Sequence, residues 1–239
     1  NAKHAEIQKD CANELHMLHI ISGAEGHSPW FPHPNLIKMT ALIINTRFEL
    51  PWIATELGTG GALDHQLYIE KWKPTTTEVL GMAMGIFRGL EALHRTREGS
   101  VRSSGAPIIH RDIKSPNILL KLFPDERVVR TVDQHEQNVT IIDLGLARPM
   151  ALDEGGQTML MTGCGSVLWM APEILHGDKY DEKIDIFSAG MTILEMVSRK
   201  LPWDGACTTE EVPYWITKLR RPRNQIPRNT PARLKNLIE

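Results

Sequence analysis

The chain has 239 residues, 41% hydrophobic and 23% charged, the proportions of a globular protein long enough to bury a core in one large or two small domains. A net charge of −2 excludes a global field that would draw nucleic acid or anionic lipid, and no apolar run reaches the roughly 18 residues of a membrane span. Three separated cysteines, Cys11, Cys164 and Cys207, form no metal-ligand cluster, and their odd count argues for a reducing, intracellular, cytoplasmic setting.

In chain order, residues 3–20 predict an amphipathic helix with Ile7, Cys11, Leu15 and Leu18 on one face. Glu14 lies at the edge of that stripe and, taken alone, is a solvated helix charge. Residues 22–30 lengthen the connection to Phe31-Pro32-His33-Pro34-Asn35. Two β-like runs follow, 36–44 and 50–57, the second ending Thr55-Glu56-Leu57-Gly58. Residues 76–94 predict a second helix, buried through Val79, Met82, Ala83, Ile86, Leu90 and Leu93. The polar stretch 95–106 reads as an insertion loop.

A short strand, Ile108-Ile109, leads into His110-Arg111-Asp112-Ile113-Lys114-Ser115-Pro116-Asn117, and a second, Ile118-Leu119-Leu120, leads out. An acid, a cation and an amide at one strand's mouth are what placing a hydroxyl, a phosphate and a metal requires. Residues 121–138 are charged and predict the overlong tip of a hairpin between that strand and Val139–Ile142. Asp143-Leu144-Gly145 follows at once. Residues 146–173 are weakly patterned and close on Gly165-Ser166-Val167-Leu168-Trp169-Met170-Ala171-Pro172-Glu173. Residues 182–198 are apolar nearly all round and predict a core helix, in which Asp185 would be a buried carboxylate needing partners. A proline-spaced loop, 222–231, precedes a last helix from Pro231.

H-R-D-x-K-x-x-N at His110–Asn117 resembles the catalytic loop of a protein kinase. Other stretches are similar to kinase motifs in family order: Asn13-Glu14-Leu15, His33-Pro34-Asn35, the hinge-like Thr55–Gly58, Asp143-Leu144-Gly145, Ala171-Pro172-Glu173 and Asp185-Ile186-Phe187-Ser188-Ala189-Gly190. Each has a bland reading by itself; the ordered set is not explained that way. G-S-x-L-W-M-A-P-E is especially like the tyrosine-kinase-like group of Ser/Thr kinases, the Raf relatives among them.

The resemblance implies an α+β, two-lobe protein-kinase-like fold, with residues 1–57 a partial small lobe and 58–239 a large lobe. It also implies an ATP-dependent Ser/Thr kinase using Mg²⁺. Asp112 would take or orient the substrate hydroxyl proton, Lys114 would face the γ-phosphate, and Asn117 and Asp143 would hold the metal. Ser166 would bridge Asp112 and Lys114. Thr55 would be the gatekeeper, Glu56 and Gly58 would meet the adenine edge, and Leu119 would lie beneath it. Glu14 would pair with a strand lysine. Leu18, Met39, His110 and Leu144 would stack into a column anchored on Asp185. Arg111 would bind a phosphate on Thr158 or Thr162, placed there by an upstream activating kinase. Partners would be proteins offering Ser or Thr hydroxyls, with neither nucleic acid nor a membrane segment involved.

The sequence departs from the pattern at both ends. No Gly-rich loop and no V-A-x-K lysine precede Glu14, and no arginine is found to partner Glu173, which implies a piece truncated at both ends. The expectation for these 239 residues alone is weak or no ATP turnover. An active kinase core and a catalytically idle kinase-fold binding module both remain open. Retention of Asp112, Lys114, Asn117 and Asp143 favours the first.

Overall fold

The computed structural model describes residues 2–22, 32–43, 51–95, 107–122, 124, 131–149, 166–204, 211–219 and 226–238, with the side chains of 2–10, 149 and 166 outside that set. The helix expected at the start is α1 (Ala2–Ile21), and it buries Met17, Leu18 and Ile21. The two β-like runs become β1 (Met39–Ile43) and β2 (Trp52–Thr55), an antiparallel pair with Ala41 opposite Ala54 and Ile43 opposite Trp52. Strand β3 (Gly61–Ala62) runs straight into α2 (Leu63–Tyr68). Two-residue strands carry almost no periodic signal, and neither element is predicted.

Helix α3 (Thr76–Arg95) lies where its apolar spacing places it. Strand β4 (Ile108–Ile109) leads into the polar loop, which closes in a 3₁₀ turn over Ser115–Asn117 before β5 (Ile118–Leu120). The predicted hairpin forms: β5 pairs antiparallel with β6 (Val139–Ile141), Ile118 opposite Ile141 and Leu120 opposite Val139. Strand β3 adds to the other edge of β5, and β4 pairs with β7 (Arg148–Pro149).

The charged segment between β5 and β6 is not simply a loop tip. It holds α4 (Val132–Gln137), whose start is fixed by a reciprocal capping box between Thr131 and Gln134. Its Glu136 is buried and meets Arg88 at 2.8 Å. Gly81 and Gly85 bring α4 unusually close to α3, because a Cβ on Gly85 would stand 2.5 Å from the Glu136 carbonyl oxygen.

The remaining elements are helical: α5 (Pro172–His176), α6 (Lys183–Ser198), α7 (Val212–Leu219) and α8 (Ala232–Ile238). Helix α6 is the predicted core helix, whereas α7 is not anticipated by the sequence reading. Helix α5 ends on Gly177 at φ 71, the left-handed conformation that glycine adopts without a Cβ penalty. One large core joins α1, α3, the β5–β6 hairpin and α6; Trp169, Met191, Leu194, Trp203, Val212 and Ile216 form a second. The helices and small sheets together make an α+β fold, predominantly helical from α2 onward.

Helix α6 buries two carboxylates within its apolar length, Asp185 at 1% exposure and Glu195 at 0%. Glu195 Oε1 accepts from Ser115 Oγ at 2.6 Å and Tyr68 OH at 2.7 Å, and Oε2 accepts from Trp169 Nε1 at 3.0 Å. Burial pushes its carboxyl up to about 7 from the usual 4.5, although the three hydrogen bonds oppose that shift. Burial and the Glu195 charge together push the Tyr68 hydroxyl up as well.

Two outcomes follow from this packing. Between pH 4.5 and about 7 the folded chain holds the Glu195 proton that the unfolded chain has released, so this group's contribution to stability declines as pH rises through that window and is level above it. At full extent the decline is about 3 kcal/mol. Urea unfolding at about pH 5 and about pH 8 should show a larger loss for wild type than for Glu195→Gln; equal losses would refute the assignment. Separately, Gly85→Ala should destabilise by roughly 1–2 kcal/mol, overpacking against α4 outweighing the gain in helix propensity, read as a lowered Tm.

Candidate active site

The polar loop is held from below by Asp185. Its Oδ2 accepts from the backbone N–H of His110 and its Oδ1 from that of Arg111, both at 2.8 Å. His94 Nε2 lies 2.8 Å from the same Oδ2. Arg111 sits at φ 72, and such a left-handed residue lets successive N–H groups converge on one anion. That conformation costs of order 1–3 kcal/mol in a non-glycine residue, so the carboxylate must hold it in place.

His110 carries the restraint onward. Its Nδ1 accepts from Asp112 N–H at 3.3 Å, which puts the ring proton on Nε2, where it donates to the Ile142 carbonyl at 3.1 Å. Ile142 immediately precedes Asp143. The loop and the Asp143 turn are therefore fixed to one buried imidazole, with His110 at 0% exposure.

Above this base, Asp112, Lys114 and Asn117 converge. Lys114 Nζ is 2.7 Å from Asp112 Oδ2, and Asn117 Nδ2 donates to that same Oδ2 and to the Asp112 carbonyl, each at 2.9 Å. Both donors use one carboxylate oxygen. Oδ1 takes no partner from the described residues and is the oxygen available to an incoming hydroxyl. With both amide hydrogens of Asn117 engaged, its amide oxygen is left as an acceptor.

Asp143 is exposed and stands at φ 63, its Oδ1 accepting from Gly145 N–H at 3.3 Å. Burial, and then the Asp143 charge, push the Glu14 carboxyl on α1 above its usual range, so two carboxylates face one another here. Among the described side chains none forms an ion pair with Glu14. Among the described residues no group of three or more His, Cys, Asp or Glu could cage a metal. The donor set suits Mg²⁺, which takes one or two protein oxygens and completes its shell with phosphates and water.

Sequence reasoning misses Asn13, one residue before Glu14. Its Nδ2 donates to the carbonyls of Gly145 at 2.8 Å and Ala147 at 3.0 Å, tying α1 to the turn after Asp143. An Asn at a helix interior, where it is a poor helix former, is the signal that could have found it. Asn35 is a second such tie: its Nδ2 donates to Glu136 and Val139 carbonyls, and its own carbonyl accepts from Ile141 N–H. Leu18, Leu144 and the partly buried Met39 lie in the large core with these elements.

The hinge-like stretch borders the same region. Thr55 is exposed at the end of β2. Glu56 N–H is occupied by the Lys38 carbonyl, leaving its own carbonyl. The Gly58 carbonyl is occupied by Gly61 N–H, leaving its N–H. An acceptor and a donor two residues apart complement the edge of an adenine. Gly58 lies hard against Leu119, where any Cβ would run into that side chain and stand 2.8 Å from the Leu120 carbonyl.

Other expected residues are less connected. Ser166 opens a 3₁₀ turn, Ser166–Trp169, but its side chain, and with it any bridge to Asp112 and Lys114, lies outside the described set. Thr158 and Thr162 also lie outside the described residues. The Arg111 guanidinium sits 6.0 Å from the centre of the Tyr180 ring. Glu173 lies in the first turn of α5, its carboxylate without an ion pair among the described residues.

A family profile for the protein kinase domain matches residues 2–239. A serine/threonine-protein kinase of Arabidopsis thaliana is 32% identical over 98% of this chain and 34% of its own length. Mitogen-activated protein kinase kinase kinase 7 of Drosophila melanogaster is 29% identical over 97% of this chain and 28% of its own. A dual specificity protein kinase of Dictyostelium discoideum is 30% identical over 86% of this chain and 13% of its own. The chain thus spans about a third of the length of these relatives or less. Matched along nearly its whole length, with the loop, the Asp143 turn and the buried Asp185 clamp in one assembly, the chain belongs to the protein kinase family.

Proposed function

We propose that this chain is the core of an ATP-dependent protein serine/threonine kinase of the tyrosine-kinase-like group, with residues 1–57 contributing to the small lobe and 58–239 to the large. The observation that carries the reading is the Asp112 carboxylate. One oxygen is held by Lys114 and Asn117, and the other takes no partner among the described residues.

In this reading a Ser or Thr hydroxyl donates to Asp112 Oδ1 and its oxygen attacks the γ-phosphorus of ATP. The bond to the β-phosphate oxygen breaks, ADP leaves, and the hydroxyl proton passes to Asp112. Lys114, already within reach of Asp112, offers its positive charge to the transferring group. Asn117 and Asp143 would hold Mg²⁺, which supplies neutralisation of phosphate charge. The Glu56 carbonyl and Gly58 N–H would meet the adenine, with Leu119 below it and Thr55 beside it. The Ser/Thr preference rests on Lys114 two places after Asp112, and on the names of the relatives. Thr158 and Thr162 are the proposed phosphate acceptors for an upstream kinase, with Arg111 as their ligand, in an intracellular protein.

A second reading, a kinase-fold binding module without turnover, is favoured by one observation. Glu14 faces Asp143 and has no cation among the described side chains. Transfer of the γ-phosphate to a Ser/Thr protein substrate by the full-length protein separates the two.

Asp112→Asn in that protein should lower transfer by about 10² to 10⁴-fold. Unchanged transfer would remove Asp112 from the mechanism. Gly58→Ala should raise the KM for ATP by about tenfold through collision with Leu119. A KM at the wild-type value in titrations against ATP would place the nucleotide elsewhere.

A further inference from the structure

Ser115 lies between Lys114 and Asn117, and its side chain is fully buried at 0% exposure. Nothing in the phosphoryl-transfer reading uses its hydroxyl. That hydroxyl donates at 2.6 Å to Glu195 Oε1, eighty positions away on α6. The same carboxylate accepts at 2.7 Å from Tyr68 at the end of α2, and at 3.0 Å from Trp169 in the turn that follows Gly165. Trp169 is bound a second time to α6, through its carbonyl and the Ser188 hydroxyl at 2.8 Å.

The loop therefore has two grips on one helix. Asp185 takes its first residues, His110 and Arg111, and Glu195 takes Ser115. Ten helical residues separate the two carboxylates, a rise of about 15 Å. The four steps from Arg111 to Ser115, if fully extended, reach about 14 Å. Lys114 is indeed extended, at φ −164 and ψ 163. The separation of the two anchors along α6 is thus comparable to the reach of the loop between them. Asp112 and Lys114 lie inside the held span, and Asn117 lies just past its end.

We propose that Glu195 is a positioning residue for phosphoryl transfer: through Ser115 it sets the far end of the loop that carries Asp112, Lys114 and Asn117, and through Trp169 it locks that loop to the segment ending in Ala171-Pro172-Glu173. This rests on the kinase reading above. Without the second anchor, the loop keeps its start on Asp185 while Lys114 and Asn117 lose registration with Asp112. Misplacement by about 1 Å costs on the order of 10²-fold in rate. The nucleotide contacts at Glu56, Gly58 and Leu119 are not held by this anchor, so the effect should fall on kcat and leave the KM for ATP near the wild-type value.

The experiment compares wild type, Glu195→Leu, Glu195→Gln and Ser115→Ala in the full-length protein, measuring γ-phosphate transfer to a Ser/Thr protein substrate. Rates are normalised to ATP-binding sites counted by titration, so that unfolded molecules do not enter kcat. Leucine keeps the volume without the hydrogen bonds, and Ser115→Ala cuts the loop-side bond alone; both should lower kcat about 10 to 10²-fold at an ATP KM within about twofold. Glutamine can accept from Trp169 and donate to both hydroxyls, so Glu195→Gln should recover kcat to within about threefold of wild type. If Glu195→Leu does not fold, Ser115→Ala and Glu195→Gln still decide. Wild-type kcat in Ser115→Ala, or a Glu195→Gln kcat as low as that of Ser115→Ala, would overturn the assignment. Absence of transfer by the wild-type protein would overturn the kinase reading and this inference with it.

Discussion

The structure depends on a buried carboxylate. Asp185 is inside the apolar helix α6, where an unpartnered charge would be prohibitive. It is satisfied by two backbone N–H groups and one imidazole. Those donors are not free to choose their geometry, because Arg111 must adopt a left-handed conformation to present its N–H. The hydrogen bonds to Asp185 offset both the cost of burying the charge and the cost of the backbone conformation. What results is a loop start that cannot drift, and Asp112 is the next residue along.

From that point rigidity spreads by hydrogen bonds rather than by apolar contact alone. His110 passes the constraint to Ile142 and so to Asp143, while Asn13 takes hold of the same turn from α1. Charge is distributed unevenly over this framework. Burial, and then the Asp143 charge, raise the cost of ionising Glu14 on one side, and Lys114 balances Asp112 on the other. A carboxylate pair with no cation among the described side chains, beside an acid already paired, is suited to receive a divalent cation and polyphosphate together.

Much of this was legible in the sequence because it followed from period or from motif. The apolar spacing located α1, α3 and α6, and a hairpin was implied by two short apolar runs flanking a polar segment. Asp185 stood out as a charge inside a helix with no polar face. What escaped had no periodicity to show. Helix α4 is six residues long in a charged stretch, held by a capping box and by the close approach that Gly81 and Gly85 permit. The Thr131–Gln134 box was visible in principle, but its packing partner was fifty residues away. Strand β3 and helix α2 are too short for any pattern to rise above composition. The contacts of Asn13, Asn35 and Glu195 escaped for a different reason: each acts through backbone or side-chain groups that only the tertiary fold brings near.

Glu195 shows why such residues resist reading. In a helix pattern it is a single Glu near the C-terminal end, and the bland expectation is a solvated charge. Burial reverses its meaning. An apolar residue there would fill the same space more cheaply, since buried charges rarely add net stability over a well-packed hydrophobe. Its presence therefore asks for a return in geometry, and the three donors it collects come from three separate stretches of chain. An apolar contact can slide by an ångström with little loss, whereas three hydrogen bonds to one carboxyl cannot. A helix carrying one such group would anchor a loop at a point. Two groups, about 15 Å apart, define a line. The acid and the cation of this loop lie between those two anchors, and the amide follows just past the second.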